Sequence, residues 1–315
     1  MTGVEKNMPE NQKEHESEVQ TNNEPEEHEH EHHHHRRKKS KLKPFLYSVM
    51  AFFLSFVLFL LSICMVLEFT VFSKDYMINT MDSKGYYSMV RYELQSCLTD
   101  LVYASGFEPE FAVSFANGYD VKKAVESYIN SFYAGDNNLV DTTEFKQQLY
   151  AEVQNYAKQN NIEITDSTEE NIIYFVNEAA NIYKDQISIP FFSVIGKYID
   201  DFYNTLNIII GVLTALALGI SAVIYFTNRY KHRRYKYLCY GLAGGALSSI
   251  IIPIFISASN IIPKINITTR SLYNLFVGYF TGLFSYFYIC SGAFAILALL
   301  AFLLYVKYYE KYRTA

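Results

Sequence analysis

The side chains with the most obvious chemistry lie near the N-terminus, in Glu26-Glu27-His28-Glu29-His30-Glu31-His32-His33-His34-His35. Neutral imidazoles bind divalent transition metals, and neighbouring carboxylates add harder oxygen ligands. No ordered spacing such as His-x-x-x-His on a helix is present. The tract therefore reads as a solvated low-complexity segment with weak, poorly shaped affinity for Zn²⁺ or Ni²⁺. No cofactor is assigned to it.

Nucleophilic or acid–base catalysis needs a nucleophile beside a base, or two carboxylates in a cleft. The polar block 73–204 has no histidine, one cysteine (Cys97) and no Gly-x-Ser-x-Gly. Paired acids occur at Glu108/Glu110, Glu169/Glu170 and Asp200/Asp201, but such pairs are ordinary on solvated helix faces and caps. Asp136-Asn137-Asn138 lacks the remaining EF-hand ligands and the bidentate Glu. No residue is assigned a catalytic, cofactor-binding or metal-ligating role, and the expectation is a non-enzymatic protein.

The elements that carry these residues follow from charge and hydropathy. Residues 1–35 hold ten acidic and two basic side chains and almost nothing that could build a core, the composition of a disordered tail. Arg36-Arg37-Lys38-Lys39-Ser40-Lys41-Leu42-Lys43 then adds six cations and no acid. Directly behind it, Pro44 to Leu67 runs without a charged side chain, about 36 Å as a helix against a hydrocarbon core of about 30 Å. Lys and Arg beside a span resist translocation, which places this end in the cytoplasm. The run is too long for a signal peptide and no Ala-x-Ala follows, so it reads as an uncleaved anchor. Glu68 falls at its outer interface. Arg36, Arg37, Lys38 and Lys39 are positioned to contact anionic lipid headgroups.

Residues 73–204 carry twenty acidic and nine basic side chains, a balance of −11. Their apolar spacing is helical. Val90, Leu94, Cys97, Leu98, Leu101 and Val102 share a face, with Gly106 as a stop. Asp120 is the predicted N-cap of a helix bearing Val121, Val125, Tyr128, Ile129 and Phe132, closed by Gly135. Asp141-Thr-Thr-Glu144 and Asp166-Ser-Thr-Glu169 both read as capping boxes. Without a sustained period of two, the block is expected to be a small helical domain.

Residues 191–203 form an amphipathic approach to three more apolar runs: Leu206–Thr227, Tyr237–Ser259 and Leu272–Val306. The last exceeds one span, which leaves open whether residues 272–284 are interfacial or part of the span. Five cations in Arg229–Lys236 place that loop on the same side as the N-terminus. Small residues recur every four positions at Gly211, Ala215 and Gly219, at Gly241, Gly245 and Ser249, and at Gly278 and Gly282. This spacing predicts close helix packing, with a homo-oligomer seam as the alternative. Pro253 predicts a kink in the third span. Asn274, Thr281, Ser285, Tyr286, Tyr288 and Ser291 could line a polar path, although packing on a helix face explains them more simply. Three of the four cysteines fall in spans, so no disulfide framework is expected.

The expected fold is an all-α integral membrane protein with four transmembrane helices and a disordered N-terminal tail. A small helical extracytoplasmic domain lies between the first and second spans. The boundaries are a cytoplasmic tail at 1–43, the first transmembrane helix at 44–72, the domain at 73–204, three transmembrane helices at 205–306 with a basic loop at 228–236, and a cytoplasmic tail at 307–315. The expected place is the plasma membrane. The expected role is binding or assembly with an envelope or membrane partner, not nucleic acid; a small transporter or channel subunit is the alternative.

Overall fold

The computed structural model describes residues 42–136, 140–190, 192, 198–267 and 269–314, the side chains of residues 200 and 263 excepted. Every regular element among them is helical. Helix α1 (Leu42–Phe69) is followed by six shorter helices: α2 (Lys74–Ser83), α3 (Tyr86–Ala104), α4 (Pro109–Gly118), α5 (Val121–Tyr133), α6 (Thr143–Gln159) and α7 (Asp166–Ile187). Three long helices complete the chain: α8 (Ile199–Thr227), α9 (Lys231–Ser259) and α10 (Arg270–Arg313). Helices α1, α8, α9 and α10 are long and apolar enough to cross a membrane. Of the expected approach at 191–203, residues 191 and 193–197 lie outside the described residues.

Local sequence explains most of the short helices. Ser73 accepts the Tyr76 N–H and Asp120 accepts the Lys123 N–H at 3.0 Å, so both act as N-caps. Gly106 and Gly135 adopt φ of 79° and 73° where α3 and α5 stop, a left-handed conformation that favours glycine. The two expected capping boxes form differently. Asp141 accepts the Thr143 N–H at 2.8 Å, but Glu144 turns away to the Lys123 ammonium at 2.9 Å. At α7 the cap is Thr165, one residue earlier than expected, and Glu169 instead accepts the Tyr150 hydroxyl.

Helices α2 to α7 share one core. Tyr86, Val90, Leu94, Leu98 and Val102 supply the inner face of α3, while Phe145, Leu149 and Val153 supply that of α6. The Phe145 ring stacks on Tyr183 at 4.3 Å and meets Phe115 edge-on at 5.4 Å. Each such buried side chain contributes about 1.5–3 kcal/mol of apolar transfer.

Among the spans, α1 touches all three others. Its contact with α9 depends on the expected small residues. A Cβ on Gly241 would come within 2.6 Å of Leu54, and one on Gly245 within 2.9 Å of Leu58. Ser249 donates to the Ser62 hydroxyl at 2.8 Å. The stripe on α8 behaves otherwise. Gly211, Ala215 and Gly219 are exposed, and a Cβ on either glycine meets nothing within 4 Å. Among the described residues, nothing packs against that stripe. Pro253 is buried within α9.

Candidate functional site at the junction of domain and span

Helix α10 has 44 residues, about 66 Å at 1.5 Å per residue and roughly twice the hydrocarbon thickness. The end of α1 marks where the bundle stops, because Phe69 stacks on Tyr286 with ring centroids 6.3 Å apart. From Tyr286 to Val306 the helix covers about 31 Å, one bilayer core. From Arg270 to Ser285 it rises about 24 Å further, with one face against α2 and α3. Residues 272–284 are thus continuous with the fourth span, and their apolar character is absorbed by the domain: Leu275 and Gly278 are buried there.

Two polar contacts fix the junction. The Glu93 carboxylate on α3 accepts the Ser271 backbone N–H at 2.9 Å and also the Ser271 hydroxyl. The first N–H groups of a helix lack internal partners and carry positive partial charge. Thr269, the local N-cap of α10, supplies no side-chain cap. Glu93 therefore caps the span helix from another element. A hydrogen bond to a charged group is worth about 1.5–3 kcal/mol, and the dipole adds about 0.3–1 kcal/mol. One step down the helix, the Tyr76 hydroxyl donates to the Tyr279 carbonyl at 2.6 Å.

Glycine lets these elements approach. The Tyr76 hydroxyl lies over Gly282, and the Lys84 side chain crosses Gly278, where a Cβ would sit 2.5 Å from its Cε. The ladders on α9 and α10 share a spacing but not a role: Gly278 and Gly282 seat Lys84, the C-cap of α2, and Tyr76 within α2, not another span. The Asn274 amide lies 3.1 Å from the Met89 sulfur.

The surroundings are low in dielectric. Burial pushes the fully buried Tyr86 phenol far above its ordinary value, and the nearby Glu93 charge adds to this. Burial also raises Tyr76, to about 12. The Tyr86 and Tyr87 hydroxyls, Arg91 Nε and Thr269 Oγ1 are buried without a hydrogen-bond partner among the described residues. Beside the cap runs an open groove of ≈ 530 Å³, lined in part by Lys84, Ser88, Tyr92 and Arg270. Its Ser88 hydroxyl is spent on the Gly85 carbonyl at 2.7 Å and its Glu93 on Ser271. This arrangement can hold two elements together and offer a mixed cationic and aromatic surface.

The acidic pairs do not converge. Glu108 and Glu110 are exposed at the start of α4, Glu170 on α7 and Asp201 on α8, and Glu169 is occupied by Tyr150. The Asp200 side chain, Asn137, Asn138, the His-rich tract at 28–35 and Arg36 to Lys39 lie outside the described residues. Among those described, no group of three or more His, Cys, Asp or Glu is placed to hold a metal. The proposed polar path disperses as well. Thr281 and Ser285 donate to carbonyls of their own helix, Ser291 donates to Ala246, Tyr286 packs against Phe69, and Tyr288 is exposed. No family model, curated protein or solved structure matches this chain.

Proposed function

We propose that this chain is a non-enzymatic multi-pass membrane protein that holds its helical domain outside the cytoplasm, at the plasma membrane, for binding to or assembly with a membrane or envelope partner. The observation that carries the reading is the junction. Glu93 and Tyr76 tie the domain to the same helix that enters the bilayer. The domain is thereby held at a set height above the spans instead of swinging on a linker. Such preorganisation lowers the ordering cost of meeting a partner confined to the same membrane.

Charge supports the orientation. The basic segments 36–43, 229–236 and 307–313 flank spans on one side of a four-span chain, and the acidic block 73–204 occupies the other. The geometry agrees: Tyr47 near the start of α1 donates to the Thr227 carbonyl, and Tyr235 stacks on Tyr308, all at the end remote from the domain.

Photocrosslinking residues at Tyr92 and Tyr103, which are 70% and 77% exposed, test the reading in intact cells. The expected result is the same protein adduct from both positions, weakened when Glu93→Ala frees the domain. Absence of a protein adduct at either position, in a chain that is folded and in the membrane, contradicts it.

A further inference from the structure

The end of the bundle remote from the domain carries a second organised surface. The loop and first turns of α9 hold Arg229, Lys231, Arg233, Arg234 and Lys236, and the last turns of α10 add Lys307, Lys311 and Arg313 against one acid, Glu310. Among the described residues none of these cations is paired with a carboxylate. They rest on tyrosines instead. Lys231 Nζ lies 5.6 Å from the Tyr308 ring, the Arg233 guanidinium 5.2 Å from Tyr230, and Lys236 Nζ 5.7 Å from Tyr240. Cation–π contacts at this range orient a cation without neutralising it. The rings are themselves fixed across helices, Tyr235 on Tyr308 at 5.6 Å and Tyr230 against Tyr312 at 5.7 Å.

Arg234 has a different task. Its Nε donates to the Asn228 carbonyl at 2.7 Å and its guanidinium covers Tyr225 at 4.9 Å, which sets the path of the short loop. Of the three remaining cations that rest on tyrosines, Lys231 and Arg233 are exposed and Lys236 is half-buried. Their height is defined: the apolar run of α8 ends at Thr227 and that of α9 begins at Tyr237. Cations there lie in the headgroup layer, where tyrosine belts also reside.

We propose that Lys231, Arg233 and Lys236 form a preorganised platform for the phosphate of anionic phospholipids in the leaflet at the loop end of the bundle. Three cations with no carboxylate partner among the described residues, held in the first turns of one helix at headgroup depth, suit a phosphodiester whose single negative charge is not cancelled by an ammonium in the same headgroup. A zwitterionic headgroup brings its own cation to the same surface and gains less. The platform requires only that the four helices cross a bilayer, and it stands whichever partner the domain binds.

Native mass spectrometry of the full-length protein, delipidated in detergent and given equal phosphatidylglycerol and phosphatidylcholine, tests this. Phosphatidylglycerol adducts should predominate, and Lys231→Gln, Arg233→Gln and Lys236→Gln together should abolish the preference. The single change Lys231→Gln, at an exposed side chain, guards against misfolding of the triple variant and should lower the preference about fivefold. Arg233→Lys should retain it, as should Lys122→Gln with Lys123→Gln in the domain. Equal retention of both lipids by the unaltered protein overturns the proposal, as does a preference that survives Lys231→Gln and the triple change. Displacement of phosphatidylglycerol by a soluble acidic peptide at equal concentration would reassign the surface to a protein partner and also overturn it.

Discussion

Glu93 and Ser271 are separated by 178 positions in the chain, yet the carboxylate of one receives both the backbone N–H and the hydroxyl of the other. The side chain of a domain helix thus serves as the N-terminal cap of a membrane-spanning helix, and the stability of the two becomes shared.

Removing that cap should loosen the junction more than the bundle. Glu93→Ala is expected to cost about 1.5–3 kcal/mol, the range for a hydrogen bond to a charged group. Glu93→Gln, which keeps an acceptor but loses the charge, should cost less. Thermal unfolding of the detergent-solubilised chain measures the loss. Hydrogen exchange should accelerate at residues 271–275 while remaining slow around Ser62 and Ser249.

Glycine changes should separate the seats from the unoccupied stripe. Gly282→Ala drives a Cβ into the Tyr76 hydroxyl and should destabilise by about 1–3 kcal/mol, as overpacking does. Tyr76→Phe removes the clashing atom, so the double variant should recover part of the loss despite forfeiting the bond to Tyr279. Gly211→Ala, where a Cβ meets nothing within 4 Å, should be neutral, or stabilising by up to about 1 kcal/mol through helix propensity.

The same glycines show what one sequence can disclose. Four-residue spacing foretold close approach, and at Gly241 and Gly245 the neighbour is indeed a span. The spacing at Gly278 and Gly282 is identical, but their neighbours are Lys84 and Tyr76 at the two ends of α2, and at Gly211 a Cβ meets nothing within 4 Å among the described residues. Periodicity reports a smooth helix face; only tertiary structure says what covers it. Capping was legible where the competition was local, as at Asp120. It slipped where a distant side chain bid for the same group, as when Lys123 drew Glu144 out of its expected box. The four spans were plain because charge-free runs of that length have few other homes. The junction was not, since neither Glu93 nor Ser271 belongs to a local motif. Its one trace was the excess length of the run from Leu272 to Val306.

Alkaline pH should unfold the domain before mild acid does. Burial raises the phenols of Tyr76, Tyr86, Tyr119 and Tyr133 above the ordinary value near 10. A group whose folded pKa is raised contributes fully below its unfolded pKa, and that contribution fades as pH climbs through the folded one. Tyr76, at about 12, sets a window from about 10 to 12. On the acid side, the Thr143 hydroxyl and N–H hold Asp141 below the usual carboxylate range. Its contribution is present above the unfolded pKa and lost as pH falls through the folded one, and it is small because the group is exposed. Unfolding temperature should therefore change little between about pH 5 and 9 and drop between about 10 and 12. A drop completed below pH 9 would contradict this.

Side-specific labelling tests the central claim, that the domain faces outward and the loop end inward. Cys97 is a poor reporter: it is half-buried, its sulfur accepts from Gln186 Nε2 at 3.5 Å, and burial raises its thiol pKa. Gly118 is a better position, since it is exposed and a Cβ there meets nothing within 4 Å. With the four native cysteines replaced, Gly118→Cys should react with an impermeant maleimide on intact cells. Arg229→Cys should react only after permeabilisation. Labelling of Arg229→Cys from outside, with Gly118→Cys protected until the cells are opened, would invert the topology and contradict the account.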